Sequence, residues 1–218
     1  MIDLHSHSVF SDGVLIPAEL VRRYESYGYE ALAITDHADS SNLDFIIPRI
    51  IKVCDDLNRT QSVLVIPGIE ITHAPPALIP DLVKAARELG AKIVVLHGET
   101  VTEPVAPGTN RVGIEAGIDI LAHPGLLTPE DAGLAVENNV FLEITARSGH
   151  NITNGHVAKV AEAAGAGMVL NSDCHEPCDI MSKELAENTV KGAGLAGDSF
   201  SALLSNSRQL LERAGYNL

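Results

Sequence analysis

MIDLHSHSVFSDG (residues 1–13) opens the chain and carries the pattern on which the fold assignment turns. A short apolar run ends in His5 and His7, two positions apart, and Asp12 follows five positions on. Side chains alternate along an extended strand, so residues two apart project to the same side. Two imidazoles so placed can grip one metal ion, because neutral histidine is the commonest metal ligand. Taken alone, the pair reads equally well as two packed or exposed histidines.

Working outward, apolar runs rich in β-branched residues recur at 2–7, 31–36, 63–69, 92–97, 118–122, 140–145 and 168–172. Helix-like segments separate them, among them PAELVRRYESYG (17–28), PALIPDLVKAARELG (76–90) and NGHVAKVAEAAG (154–165). Pro17 and Pro129 suit a first helical turn, and Gly28, Gly90 and Gly165 suit helix exits. From about Ser182 the tail reads as one or two further helices. Strands alternating with helices imply parallel β/α units, closed as a barrel or open as a doubly wound sheet.

Both architectures gather functional groups at the C-terminal ends of strands. An open sheet concentrates them at one switch point, whereas a barrel lets every strand contribute. Here the strands end in DLHSH, AITDH, IPGIE, VVLHGE, ILAHPG, LEITAR and LNSDCH. With Asp12 from the first loop, these supply His5, His7, Asp12, His37, Glu70, His97, His123, Asp173 and His175. Six strand ends bearing ligand-type residues are best explained by a seven-stranded (β/α)7 TIM-like barrel whose rim binds metal.

Nine groups exceed what one tetrahedral ion needs and suffice for two or three ions if a carboxylate bridges. Glu70 and Asp173 are the bridging candidates, since a carboxylate offers two oxygens. A nitrogen and oxygen set without thiolate favours zinc, manganese or iron. Magnesium and calcium prefer all-oxygen shells. Strand parity places Asp3 on the face of His5 and His7, where its carboxylate is expected to orient a ligand imidazole. The same alternation puts Asn171 beneath Asp173, and Asp119 either two steps beneath His123 or exposed on the barrel floor.

Composition sets the outer bounds. The 218 residues are 45% hydrophobic and 20% charged, ordinary for a globular chain without repeats or linkers. Fifteen Lys+Arg against 29 Asp+Glu leave a formal charge of −14, which disfavours long nucleic acid. No apolar run of membrane-spanning length occurs, and no secretory leader is visible, so a cytoplasmic location is expected. Cys54, Cys174 and Cys178 do not make a disulfide framework and are expected to be buried thiols.

In order and strand placement, DLHSH, ITDH, the glutamate of PGIE, LHGE, AHPG and SDCH resemble the motifs of the PHP (polymerase and histidinol phosphatase) superfamily. The resemblance runs from Met1 to about His175. It implies a distorted seven-stranded barrel, a single PHP domain over residues 1–218, and phosphoester hydrolysis with two or three divalent ions. Carried over by position, His5, His7, Glu70 and Asp173 form one metal site. Glu70 bridges to a second ion held by His97 and His123, and Asp12, His37 and His175 form the third. Many relatives have histidine where this chain has Asp12.

The resemblance points to a small phosphorylated substrate, histidinol phosphate among the candidates. Arg147, in LEITAR, suits a phosphoryl oxygen pair, and Arg111 is a second candidate for substrate binding. Asp12 or His175 would serve as the acid at the leaving oxygen. His73, His150 and His156 are expected to serve loops or helix starts. Two competing readings are a nucleotide or oligonucleotide phosphodiesterase and a metal-binding structural domain without catalysis.

Overall fold

Apolar residues alternating along each strand sort the core into two layers. The computed structural model describes residues 1–218. Its elements are β1 (Ile2–Asp3), α1 (Pro17–Ser26), β2 (Ala31–Ile34), β3 (His37–Ala38), α2 (Leu43–Asn58), β4 (Leu64–Ile71), α3 (Ile79–Leu89) and β5 (Ile93–His97). There follow α4 (Thr109–Glu115), β6 (Ile120–Ala122), α5 (Pro129–Asn138), β7 (Phe141–Thr145), α6 (Asn154–Ala164), β8 (Met168–Asn171), α7 (Lys183–Gly192) and α8 (Ser199–Arg213). The strands are parallel in the order β1-β2-β4-β5-β6-β7-β8. β3 continues β2 past Thr35–Asp36, holding the same register on β4 from Ala31↔Leu64 to His37↔Glu70.

β8 meets β1 and nearly closes the barrel. Asp173 donates its backbone N–H to His5 O at 3.1 Å, and His7 donates to Cys174 O at 2.8 Å. Between β1 and β8 a side chain replaces the ladder: Leu4 N–H donates to Asn171 Oδ1 at 2.9 Å. The expected seven-stranded β/α barrel is therefore the observed fold.

Ile2, Leu4, Ala31, Ala33, Ile66, Ile93, Val95, Ile120, Ala122, Phe141 and Val169 form the inner layer, joined by Leu210 and Leu211 of α8. Their neighbours Leu32, Ile34, Val65, Val94, Leu96, Leu121, Leu142 and Leu170 face outward against the helices. Arg208 of α8 pairs with Glu30, just before β2, and Arg213 donates to Asn139 O, just before β7. α8 thus seals the end where strands begin, and the opposite mouth is left for chemistry. Pro17 and Pro129 open their helices, and Gly90 and Gly165 close theirs in left-handed conformation.

The regular strand at the N-terminus is shorter than expected, and its parity breaks. Ile2 and Leu4 belong to the inner layer, so Asp3 points outward to α1, yet His5 again faces the barrel mouth. Asp3 is fully buried and accepts from Tyr24 Oη at 3.0 Å and from the backbone N–H groups of Ser172 and His5. Burial, only partly offset by these donors, raises its carboxyl to about 6. The expectation that Asp3 orients a ligand imidazole is thereby corrected: it pins β1 to α1 and β8. Asp119 takes the floor position, paired with Arg87 at 2.6 Å. Cys54 and Cys174 are buried, but Cys178 is exposed, contrary to expectation.

Tyr24 Oη contacts both Asp3 and Ser172 Oγ, at 3.0 and 2.9 Å, with the ring wholly buried. Tyr24→Phe is expected to reduce unfolding free energy by about 1–3 kcal/mol, because two buried polar groups lose a partner. Urea denaturation of the metal-free protein measures it, and an unchanged midpoint would refute the anchoring role.

Candidate metal centre

Inward positions near the strand ends carry Glu70 on β4, His97 on β5, Glu143 on β7 and Asn171 on β8. Each continues the parity of apolar inner-layer residues below it, so the periodicity that builds the core also aims these groups into the mouth. His37 lies on β3, and His123 and Asp173 follow β6 and β8. His123 and Asp173 adopt left-handed backbone, with φ of 28° and 54°. A non-glycine residue in that region is strained and is commonly found at functional sites.

Two imidazoles and two carboxylates meet at the centre. His5 Nε2 lies 3.3 Å from Glu70 Oε2 and 3.6 Å from Asp173 Oδ1. His7 Nε2 lies 3.5 and 3.2 Å from the same two oxygens. A tetrahedral zinc with bonds near 2.0–2.1 Å separates its ligand atoms by about 3.3 Å, so this spacing fits an ion in their midst. Further atoms support the fit. His5 Nε2, both nitrogens of His7, Glu70 Oε1, His97 Nδ1, His123 Nδ1 and Asp173 Oδ1 are buried without a hydrogen-bond partner, while Glu70 Oε2 has His37 Nδ1 at 2.7 Å. Buried polar atoms are ordinarily satisfied, and this concentration of orphans is what a cation would relieve.

Asp12, His37 and His175 gather on the solvent side together with His7. Asp12 Oδ1 is 3.5 Å from His37 Nε2 and 3.2 Å from His175 Nε2. The loop carrying Asp12 is held by Asp36, whose carboxylate accepts from the backbone N–H and hydroxyl groups of Ser8 and Ser11. On the other flank His97 and His123 come together, and His123 Nε2 is 3.8 Å from Glu70 Oε1. All nine expected groups therefore converge, and Glu70 faces both inner clusters.

Charge is distributed to suit cation binding. Burial, reinforced by His37 beside His7 and by His97 beside His123, holds both rings well below the usual histidine range. They remain neutral, with lone pairs free. Burial also works against protonation of His5, but Glu143, Glu70 and Asp173 outweigh it and raise that ring. Burial opposes protonation of His37 too, and the Glu70 carboxylate overcomes it, lifting His37 to about 9. For Glu70 burial favours the neutral acid, yet His5 and His37 hold the carboxyl well below its ordinary value.

Glu143 escaped the sequence reading, which followed strand parity beneath His5, His123 and Asp173 but not along β7. Its Oε1 accepts from His5 Nδ1 at 2.8 Å and from Asn171 Nδ2 at 2.9 Å. Its Oε2 accepts the His123 backbone N–H at 3.0 Å. Binding Nδ1 directs His5 Nε2 at the cluster, the role that had been assigned to Asp3. The parity of Phe141 and Glu143 on β7 was the available signal. His73 and His150, expected to serve loops, line the mouth with Glu103, whereas His156 does serve a loop, facing Leu127 O at 2.8 Å.

Arg147 lines the same cavity of about 260 Å³, whose eleven lining residues include no hydrophobic side chain. Its Nη1 donates to Asp179 Oδ2 at 2.9 Å, which also accepts the backbone N–H groups of His175 and Glu176. Arg111 lies elsewhere, half exposed between α4 and α5 and paired with Asp131 at 2.8 Å. It is not among the residues that line the cavity.

The PHP domain family matches residues 3–100. An uncharacterized protein of Methanocaldococcus jannaschii is 47% identical, over 97% of this chain and 98% of its own length. A Shewanella frigidimarina protein described as a probable phosphatase is 27% identical, over 94% of this chain and 92% of its own. Among solved structures, a chain of archaeal ribonuclease P with mature tRNA superposes with a TM-score of 0.75 at 15% identity, covering 99% of this chain and 92% of that one. Histidinol phosphate phosphatase of Lactococcus lactis, complexed with zinc, L-histidinol and phosphate, superposes with a TM-score of 0.64 at 16% identity, covering 89% and 94%. At such identities these two likenesses concern the fold.

Loss of the Glu143 anchor by Glu143→Gln is expected to weaken cation retention about 10–100-fold, the usual consequence of losing a partner behind a ligand. Asp3→Asn should lower stability and leave retention near that of wild type. Metal content after dialysis compares the two variants, and equal retention in both would refute the assignment. Protons compete with cations for His5 and His37, so cation uptake should release protons and tighten as pH rises from 6 toward about 9. Titration calorimetry in buffers of different ionisation enthalpy reads that release, and pH-independent uptake would contradict it.

Proposed function

The chain belongs to the PHP domain family, and from that premise we propose that it is a metal-dependent hydrolase of small phosphomonoesters. The observation that carries this reading is the convergence of nine nitrogen and oxygen ligand groups, with their buried orphan atoms, at the open mouth of the barrel. His5, His7, Glu70 and Asp173 would hold one cation. Glu70 with His97 and His123 would hold a second, and Asp12, His37 and His175 a third. The imidazole-rich set favours zinc, manganese or iron. A relative matched over 92% of its own length and described as a probable phosphatase supports the activity, and a similarly folded phosphatase holding zinc and phosphate supports the metal.

Bound cations would supply an attacking water of lowered pKa and positive charge for the phosphoryl oxygens. The chain's own residues do the rest. Arg147 presents a planar donor fork beside the cluster, matched to two phosphoryl oxygens. Asp179 holds that fork at the rim through Nη1. With the outer position free of cation, Asp12 or His175, at the more exposed edge, would give the leaving oxygen its proton. A small, wholly polar cavity accommodates a phosphoryl group with a short polar body better than an extended chain. The charge of −14 acts in the same direction by repelling polyanions.

Protein reconstituted with manganese, zinc or iron(II) is expected to release phosphate from one or more of sugar phosphates, histidinol phosphate and mononucleotides. Faster cleavage of diesters or oligonucleotides would favour a phosphodiesterase instead. No release with any metal would favour a non-catalytic metal-binding domain. Arg147→Ala should lower kcat/KM roughly tenfold to 150-fold, the equivalent of a charged hydrogen bond of about 1.5–3 kcal/mol. An unchanged kcat/KM would remove Arg147 from substrate binding.

A further inference from the structure

A second gathering of ligand-type groups adjoins the nine and includes residues outside the motif set. Glu103, on the loop after β5, places its carboxylate among three imidazoles. Its Oε2 lies 3.0 Å from His73 Nε2 and 3.1 Å from His97 Nε2, and its Oε1 lies 3.5 Å from His150 Nε2. His150 is 8% exposed and stacks on His123 with 4.3 Å between ring centroids. Ligand atoms of His97, His123 and His150 all lie within 4.8 Å of one another.

These contacts differ from an ordinary surface ion pair in two ways. First, His97 and His150 are buried, and His97 Nδ1 has no hydrogen-bond partner. Second, the new groups are themselves held. Thr100 Oγ1 occupies His150 Nδ1 at 2.7 Å, which leaves Nε2 directed at the cluster. Ligand imidazoles are ordinarily fixed in this way through their other ring nitrogen. On the solvent side His73 contacts Glu103 and keeps a left-handed backbone, φ 51°, like His123 and Asp173. The separations of 3.0–3.5 Å match those in the central cluster.

We propose that His150 and Glu103 are additional protein ligands of the cation position defined by Glu70, His97 and His123, with Thr100 and His73 orienting them. The inference rests on the metal-dependent reading above. Catalytic zinc sites generally keep three protein ligands and an open position, whereas closed sites are filled by protein. Five protein groups make this the closed position of the mouth. Its cation is retained and supplies fixed charge, and exchangeable positions lie toward Asp12, His37 and His175.

The test uses the full chain, stripped of metal and titrated with manganese, with bound cations per chain counted by mass spectrometry and metal-induced melting shifts recorded alongside. Glu103→Gln and His150→Ala are each expected to weaken uptake of one cation equivalent by at least about tenfold, the lower bound for losing even a partner behind a ligand. The same equivalent should be lost in His97→Ala. Glu103 stands on the rim with its side chain 38% exposed, so Glu103→Gln keeps the fold even if His150→Ala does not. Uptake curves superimposable on wild type in both variants, with His97→Ala still losing an equivalent, would overturn this inference alone. Absence of any cation uptake by wild type would overturn the metal-dependent reading with it.

Discussion

The arrangement of the barrel mouth depends on one buried carboxylate. Glu143 sits beneath the cluster and joins β7 to the segment after β1, to β8 through Asn171, and to the turn after β6 through the His123 backbone. Asn171 in turn accepts the Leu4 N–H where β8 meets β1. A single polar chain thus runs from the closing seam of the barrel to the imidazoles above it. Since a buried carboxylate is tolerated only when its lone pairs are met, the fold and the site constrain each other here.

Above Glu143 the logic of burial reverses. Groups below the mouth are paired, as in Asp3 with Tyr24 and Ser172 and in Asp36 with Ser8 and Ser11. Groups at the mouth are buried without partners, held close by the strand ends that carry them. Two rings, His7 and His123, are kept neutral by burial and by their imidazole neighbours, while His5 and His37 are drawn toward the charged form by carboxylates. Such a mixture leaves nitrogen lone pairs and negative oxygens close together, the chemistry a divalent cation uses.

The mouth is also asymmetric. Arg147 is its one cationic lining residue apart from histidines and stands with His175 beside Asp179. His73, Glu103 and His150, supported by Thr100, line the same opening. The segment after β5 brings Glu103 back to His97 at the strand end.

Strand periodicity made the barrel and its inward strand-end groups legible in the sequence, because the period of two that buries Ile93 and Val95 must also turn His97 inward. The same periodicity on β7 pointed to Glu143, but parity was followed only beneath His5, His123 and Asp173. Asp3 failed for a different reason. Alternation holds only while the backbone ladder is regular, and the Asn171 side chain interrupts that ladder at Leu4, so counting from Asp3 to His5 loses parity. Glu103, His73 and His150 could not be placed by periodicity at all, since loops have none. Their meeting is a property of three separate connections folding over one rim, and long-range packing, not local pattern, brings them within reach of one another.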